Sequence, residues 1–461
     1  MAGERQIGKR ARSLGLAVAL AWAAPAVAQI LGGGLPGLPG GGLPGGLGDV
    51  PRVDTRRIAP TVSPPRFPKP PVSQLATAAA ELAAAPLTDL RRLTADRLLR
   101  DHPDVVEADD RGQPVVRGEV LAVGLSRDTL GRLRQAGFSV RSQSNLSGLA
   151  IEATVLGLPR GQSAVQAIRR LRTIDPSGQY DFNHIYQAAG VAGETPGVQY
   201  GSVPAADRRA LRIGLVDGSV AQSAPALARA RLVQRAFAPG GARTSAHATA
   251  VASLIVGGAG PFRAAAAGAT LYVADVYGST PRGGSAESVA RALAWLAQSD
   301  TPVIDISLVG PPNLLLEAAV RALQARGSQV VAAVGNDGPA APPLYPAAYP
   351  GVVAVTGVDA RRRVLPEAGL GTHIDFAAPG ADMAAAGVNG GYVSVRGTSF
   401  AAPIVAGRLA VLRSRGSPDE ALAALAREAI DLGAPGPDPV YGRGLVGADL
   451  RTDPAAVRAP R

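Results

Sequence analysis

The chain has 461 residues, of which 46% are hydrophobic and none is cysteine, so it can bury a sizeable core and must do so without disulfides. The formal net charge is +11, spread along the chain and supplied almost entirely by arginine, and aromatic residues make up only 4%. Because a nucleic-acid-binding surface combines a basic stripe with interleaved aromatic residues, this composition argues against a nucleic-acid partner.

Residues 1–28 have the three parts of a signal peptide. A basic region at 5–12 precedes an apolar stretch at 14–24, and Ala26-Val27-Ala28 before Gln29 is typical of a cleavage site. The apolar stretch is too short for a stable membrane span, so we favour cleavage over an uncleaved anchor. The segment therefore predicts export to the periplasm, the cell surface or the medium.

Residues 29–80 are dominated by glycine and proline without a strict three-residue period, which excludes collagen and indicates a disordered linker. The stretch 73–99 is then rich in Ala, Leu and Arg and is typical of a helix. We assign 81–190 to this helical segment together with a small domain, and 191–210 to a linker.

The small domain shows alternating strand and helix patterns between Pro103 and Gln187. Strands are predicted at 119–125, 138–141, 149–155 and 180–184, and helices at 127–136 and 163–173. The resulting order β-α-β-β-α-β is that of a ferredoxin-like sandwich.

Residues 211–450 contain several short apolar runs that end in polar residues. The run 213–216 ends at Asp217, and the run 329–334 is followed by Gly335 and Asn336. Open α/β sheets build their sites at the carboxyl ends of parallel strands, so both side chains are candidates for a site. The last residues, 451–461, are a tail.

A serine lies where a strand-like run, 391–395, gives way to a small-residue helix predicted at 401–412. This position offers the hydroxyl of Ser399 and its backbone N–H to a substrate, although Thr-Ser before such a helix is also an ordinary N-cap. Among the four histidines, His247 opens an alanine-rich helical run, whereas the other three lie in contexts without a matching motif.

Asp217, His247, Asn336 and Ser399 follow one another in the order Asp, His, oxyanion donor, Ser. With this order the chain resembles the subtilisin-like serine proteases, or subtilases, the peptidase S8 family. The resemblance extends from about Leu211 to Ala448 and includes the segments 268–274, 303–308, 349–355, 376–380 and 442–446.

The resemblance implies a three-layer α/β domain with a mainly parallel sheet flanked by helices. It implies a secreted serine endopeptidase in which Asp217, His247 and Ser399 form the catalytic triad and Asn336 stabilises the oxyanion. An extended polypeptide substrate would lie antiparallel to a strand edge formed by Ser307, Leu308, Val309 and Gly310. No cofactor is expected for catalysis. Structural calcium is common in the family, but no calcium-loop motif is present, so no metal site is predicted.

The position of the small domain, directly before the catalytic domain, implies an inhibitory propeptide. Its tail would occupy the cleft, and self-cleavage is expected somewhere between Tyr186 and Tyr200. The alternative is a permanently attached accessory domain. We expect a monomer whose partners are polypeptide substrates and its own propeptide.

The chain departs from the usual family pattern beside two triad residues. Gly218-Ser219 follows Asp217 where Thr-Gly or Ser-Gly is usual, and Ala248 follows His247 where glycine is usual. The alternative hypothesis is therefore a catalytically silent peptide-binding homologue, or one that only processes itself. A lipase or esterase is disfavoured because the Ser, Asp, His order and the Gly-x-Ser-x-Gly elbow are both missing.

Overall fold

The computed structural model describes residues 87–192, 208 and 210–457. The predicted signal peptide, the Gly/Pro-rich segment and most of the predicted 191–210 linker lie outside the described residues. Within the described ranges, no helix is long and apolar enough to cross a membrane.

The N-terminal part begins with a helix and continues as a small sheet with two helices. Its elements are α1 (Leu87–Asp101), β1 (Val106–Ala108), β2 (Pro114–Val123), α2 (Arg127–Gln135), β3 (Ser139–Leu146), β4 (Ile151–Gly157), α3 (Ala164–Ile174) and β5 (Gln179–His184). The strands lie in the antiparallel order β3-β4-β2-β5, and β1 pairs with the start of β2. From β2 to β5 the elements follow one another in the order β-α-β-β-α-β.

The part that the sequence predicts to be catalytic, residues 210–457 (the catalytic part), is built on a seven-stranded sheet in which every strand pair is parallel. In chain order its strands are β8 (Arg212–Asp217), β9 (Arg231–Ala236), β12 (Thr270–Asp275), β13 (Val303–Ile306), β15 (Gln329–Ala333), β16 (Val353–Val358) and β17 (Ile374–Pro379). They lie in the order β17-β16-β15-β13-β8-β12-β9.

Shorter strands lie outside this sheet. These are β6 (Gln187–Ala188), β7 (Val191–Ala192), β10 (Gly258–Ala259), β11 (Phe262–Arg263), β14 (Leu308–Val309), β18 (Met383–Ala386) and β19 (Tyr392–Arg396). Two pairings matter for the site: β6 pairs with β14, and β7 pairs with β19.

Helices cover both faces of the central sheet. They are α4 (Ala246–Val256), α5 (Ala286–Gln298), α6 (Leu314–Ala325), α7 (Thr398–Arg413) and α8 (Pro418–Glu428). Helix α7 packs on the sheet and contacts α4 and α8, whereas α5 and α6 pack together. Strands covered on both faces are mostly apolar, as in β8 and β13, where the buried carboxylates of Asp217 and Asp305 are the exceptions. This arrangement confirms the predicted α/β class.

The small N-terminal sheet uses its two faces differently. One face packs against α2 and α3 through a cluster that includes Leu133, Leu156 and Leu171. On the other side, Leu121 and Val155 belong to the same apolar cluster as residues of α5 and α6. The N-terminal part is therefore packed on the catalytic part through two helices of the catalytic part.

Candidate active site

Three of the predicted residues meet at the carboxyl end of the parallel sheet. Asp217 is the last residue of β8, His247 is the second residue of α4, and Ser399 is the second residue of α7. Nδ1 of His247 lies 2.7 Å from Oδ2 of Asp217, and Nε2 lies 2.8 Å from Oγ of Ser399. Asp217 is buried and also accepts a hydrogen bond from the Gly218 N–H, so its carboxylate is fixed in orientation.

The serine does not cap its helix. Helix α7 begins at Thr398, earlier than the predicted start at 401, and its N-cap is Gly397, which has no side chain to bond the first turn. The Ser399 hydroxyl instead faces His247, and the Thr398 hydroxyl accepts a hydrogen bond from the Gly335 N–H. The N-cap interpretation of Ser399 was wrong because glycine occupies that position.

The two departures from the family pattern fit together beside the triad. A side chain at Gly218 would place its Cβ 2.7 Å from Cβ of Ser245, the N-cap residue of α4, and 3.8 Å from Cβ of Ala248. Glycine at 218 therefore allows the start of α4 to lie close to β8. Ser219 donates to Oδ2 of Asp275 at 2.6 Å. With this packing, His247 keeps hydrogen-bonding distances to both triad partners.

Asn336 follows β15, and its amide has a defined orientation. Its Oδ1 accepts from the Thr398 N–H at 3.1 Å, which leaves Nδ2 as the group that points into the cleft. Nδ2 donates to the carbonyl oxygen of Ala189 at 2.6 Å, and the Ser399 N–H donates to the same oxygen at 3.1 Å. One carbonyl of the chain itself thus accepts both from the predicted oxyanion donor, Asn336, and from the Ser399 N–H.

The segment that carries this carbonyl runs through the cleft as an extended strand. Before Ala189, β6 pairs antiparallel with β14, with Leu308 opposite Ala188 and Val309 opposite Gln187. After Gly190, β7 pairs antiparallel with β19. The predicted substrate strand, Ser307 to Gly310, therefore has an intramolecular partner. Sequence reasoning did not identify Ala189, because two-residue strands carry no periodic signal.

Close backbone approach at the cleft depends on two glycines. A Cβ at Gly190 would lie 2.4 Å from Oγ of Ser399, and a Cβ at Gly397 would lie 2.7 Å from the Ala189 oxygen. Gly397 also has φ +140°, a conformation that a side chain would strain. Both positions let the Ala189–Gly190 peptide lie against the serine.

A second carboxyl group lies beneath the serine. Oγ of Ser307 lies 2.7 Å from Oδ2 of Asp305 and 3.0 Å from the Ser399 carbonyl oxygen. Complete burial raises the pKa of Asp305 well above its ordinary value, with Asp217 adding to the effect. The Ser307 hydroxyl can donate to either oxygen and so connects Asp305 to the backbone of Ser399. The sequence signal for this residue is a single charge within the apolar run 303–308.

Two further contacts link the N-terminal part to the catalytic part. Buried His184 lies 3.1 Å from Asp109 and 3.2 Å from the Asn313 amide, which agrees with its assignment as a non-catalytic histidine. Arg91 in α1 bonds Oδ2 of Asp337, the residue after Asn336, through two nitrogens at 2.6 and 2.7 Å. Neither contact could be found from local sequence.

Among the residues that the structure describes, no group of three or more His, Cys, Asp or Glu side chains is arranged to hold a metal ion.

Comparison with known proteins gives consistent matches. The model of the subtilase family matches residues 237–444. Subtilisin BL from Lederbergia lenta is 35% identical over 188 residues, which are 40% of this chain and 68% of that protein. The thermophilic serine proteinase of Bacillus sp. strain AK1 is 38% identical over 134 residues, 29% of this chain and 33% of that protein.

A likeness in fold to one solved structure covers a larger share of the chain. Fervidolysin from Fervidobacterium pennivorans, described as a keratinolytic enzyme related to subtilisin, aligns with a TM-score of 0.62 at 19% identity. The alignment covers 77% of this chain and 62% of that one. At this identity the likeness concerns the fold alone. With the sequence matches, however, the assignment is complete: the chain belongs to the subtilase family of serine endopeptidases.

Proposed function

We propose that the chain hydrolyses peptide bonds through Asp217, His247 and Ser399 with an acyl-enzyme intermediate. His247 Nε2 takes the Ser399 proton as Oγ attacks the substrate carbonyl carbon, and returns it to the leaving amine. Asp217 holds the Nδ1–H tautomer and stabilises the imidazolium that forms. The support is the pair of distances on either side of the imidazole, 2.7 and 2.8 Å.

The oxyanion donors in this proposal are the Asn336 amide and the Ser399 N–H. Each donor in such a site typically lowers the barrier by about 3 kcal/mol. The observation that carries the proposal is the Ala189 carbonyl, which accepts from both donors while Gly190 lies against Oγ of Ser399. A peptide bond in this position is a substrate placed for attack.

We further propose that the chain is an exported zymogen that cleaves itself between Ala189 and Gly190. This bond falls within the range predicted for processing, 186–200. The part before it would remain on the cleft as an inhibitor, because it is packed on α5 and α6 and paired with β14. Export would depend on the signal peptide predicted at 1–28. The alternative, a homologue that is silent or only self-processing, is an outcome of the test below.

The test is expression of the full chain beside Ser399→Ala, followed by intact mass, N-terminal sequencing and fluorophosphonate labelling. We expect a product that begins at Gly190 and a labelled Ser399 in the wild type, and an uncut, unlabelled variant. Ser394→Ala, a change of the same size in the strand before the serine, should process like the wild type.

The outcomes separate the alternatives. If both proteins retain the N-terminal part, self-cleavage is wrong. If the wild type processes but cleaves no added peptide after its N-terminal part is removed, the chain only processes itself. If Ser399 does not react with the label even after the N-terminal part is removed, the protein is catalytically silent.

A further inference from the structure

The segment 185–189 is the middle strand of three in the cleft. On one side β6 pairs with β14. On the other side the Tyr186 N–H donates to the Gly284 carbonyl at 2.8 Å, and Ile185 forms an antiparallel bridge with Ser285. Three side chains of the segment, those of Ile185, Tyr186 and Ala189, are buried, whereas those of Gln187 and Ala188 are partly exposed. The surroundings of the buried side chains therefore indicate which residues the cleft accepts at these positions.

The residue directly before the proposed scissile bond meets a closed wall. Ala189 is only 3% exposed. The Leu344 side chain packs against Gly335, because a Cβ at Gly335 would lie 2.5 Å from Cδ1 of Leu344. Gly335 directly precedes Asn336, the proposed oxyanion donor. Leu344 thus lies next to the group that binds the Ala189 carbonyl.

The same wall is closed from the strand side. Tyr345, the residue after Leu344, exchanges two backbone hydrogen bonds with Gly310, at 2.9 and 3.0 Å. Leu344 is therefore held between the loop that carries Gly335 and Asn336 (the oxyanion loop) and the strand that carries Val309. Leu344, Val309 and Ala333 belong to one buried apolar cluster with Ala189. Ala189 is thus buried in the same aliphatic core as these residues, which favours a small side chain directly before the bond.

The fourth residue before the bond fills a different kind of pocket. Tyr186 is fully buried, and its hydroxyl donates to the Pro311 carbonyl at 2.7 Å. Its ring lies on Gly310, where a Cβ would stand 2.6 to 3.0 Å from three ring atoms. The pocket is thus large enough for an aromatic ring and has an acceptor at its far end.

We propose that this protease selects polypeptides with a small residue directly before the cleaved bond and a tyrosine three residues earlier. The inference rests on the proposed function and adds the substrate class to it. Leu344 sets the first preference by filling the space beyond a methyl group. Gly310 and the Pro311 carbonyl set the second, because glycine admits the ring and the carbonyl accepts its hydroxyl.

The test uses the full chain after self-processing and release of its N-terminal part, with four quenched peptides. The reference peptide is Tyr-Gln-Ala-Ala-Gly-Val, and the others carry Phe in place of the second Ala, or Phe or Ala in place of Tyr. We expect kcat/KM to fall about 100-fold for Phe before the bond, since overpacking a filled site is costly. Replacing Tyr by Phe should cost about 10-fold and replacing it by Ala about 100-fold.

Two variants assign the preferences to residues. In Leu344→Gly, kcat/KM for the peptide with Phe directly before the bond should rise about 10-fold relative to that for the reference peptide. The ratio of kcat/KM between the peptides with Tyr and with Phe at the fourth position before the bond should not change. Gly310→Ala should have the opposite effect. It should weaken the preference for Tyr at the fourth position before the bond and keep the preference for Ala directly before the bond. Ile430→Ala is the control. It shortens an exposed side chain of a residue that forms a β-bridge with Leu445, and it should change neither ratio.

The results are distinguishable from a failure of the proposed function. Equal cleavage of the Ala and Phe peptides by an enzyme that reacts with fluorophosphonate overturns the inference and leaves the protease assignment intact. Absence of both cleavage and labelling overturns the protease assignment, and the inference falls with it. If a variant does not fold, the ratios measured with the wild type still decide.

Discussion

On one side of the Ala189–Gly190 bond the chain is buried, and on the other it is partly exposed. Tyr186 has no exposed surface, whereas Val191 is 37% exposed. The segment before the bond has a strand partner on both edges, while β7 after it pairs with β19 alone among the elements that the structure describes. The segment before the bond, 185–189 (the first half), also follows directly after β5 of the N-terminal sheet, and the segment after the bond is the second half.

This asymmetry fits what a self-processing inhibitor requires. If the chain cleaves itself as proposed, its burial and the N-terminal sheet would hold the first half in place, so we expect its dissociation to be slow. The second half has fewer contacts, and its new amino terminus can leave the serine. The same contacts that present the bond would therefore also block the cleft afterwards.

The largest expected effect is on the proposed self-cleavage between Ala189 and Gly190. Asp217→Asn should slow the appearance of the Gly190 terminus about 10,000-fold, because the imidazole loses the group that holds its productive tautomer. The rate is read from the intact mass over time. Asp300→Asn, which changes an exposed carboxylate, should process at the wild-type rate. A rate for Asp217→Asn within 10-fold of the wild type would contradict the triad.

The next effect concerns how firmly the first half is held. Glu119 in β2 is buried and accepts from Asn183 at 2.8 Å and from Arg282 of the catalytic part at 2.6 Å. Glu119→Gln should weaken the complex after cleavage about 100-fold, because it removes the charge that pairs with Arg282.

The readout for Glu119→Gln is the lag before the processed full chain cleaves an added peptide, which should shorten. Arg141→Ala is the matched control. Its guanidinium lies 3.5 Å from the same carboxylate but is half-exposed, so it should change the lag little. Equal lags for both variants would show that the Glu119–Arg282 pair does not hold the inhibitor.

A smaller effect is expected at the bond itself. Gly190→Ala places a methyl group 2.4 Å from Oγ of Ser399, so the peptide must shift before it can be attacked. We expect self-cleavage to slow at least about 10-fold, since a small displacement of reacting atoms is costly. Val191→Ala changes the next, partly exposed side chain and should leave the rate unchanged. Equal rates for the two variants would mean that another bond is cleaved.

The smallest expected effect concerns Asp305, the buried carboxyl group that is linked to Ser399 through Ser307. Because burial raises the pKa of Asp305, the native form keeps a proton that the unfolded form loses above its ordinary pKa of 3.8. The stability contributed by this group therefore falls as the pH rises from that value. Asp305→Asn removes the effect and keeps a donor for Ser307.

This prediction is measured by urea unfolding of Ser399→Ala with and without Asp305→Asn, at pH 5 and pH 8. We expect the double variant to gain stability relative to the single variant as the pH rises. A difference that is the same at both pH values would show that Asp305 is ionised in the native protein.

Much of the site was accessible from sequence because its signals are local. Asp217 and Asn336 each follow an apolar run, and Ser399 lies between a strand pattern and a helix pattern, so each residue could be placed at the end of an element. The order of the four residues then supplied the long-range link. The boundaries were less accurate, as the earlier start of α7 illustrates.

What could not be predicted depends on contacts between distant segments. Nothing around Ala189 indicates that its carbonyl meets Asn336, because the contact spans 147 residues and the flanking strands have two residues each. Leu344 looks like any apolar loop residue until it is seen against Gly335. Side chains that shape a cleft carry no local pattern of their own, since their role comes from the partner that folds against them.

The contact between Arg91 and Asp337 has a consequence for the order of folding. It joins residues 246 positions apart, so a chain synthesised from its N-terminus holds α1 without this partner until the oxyanion loop has been made. Contacts of such long sequence separation form late, because the loop between them must be closed first. We therefore expect this ion pair to form late in folding, so that α1 is fixed in place only once the loop that carries Asn336 has been made.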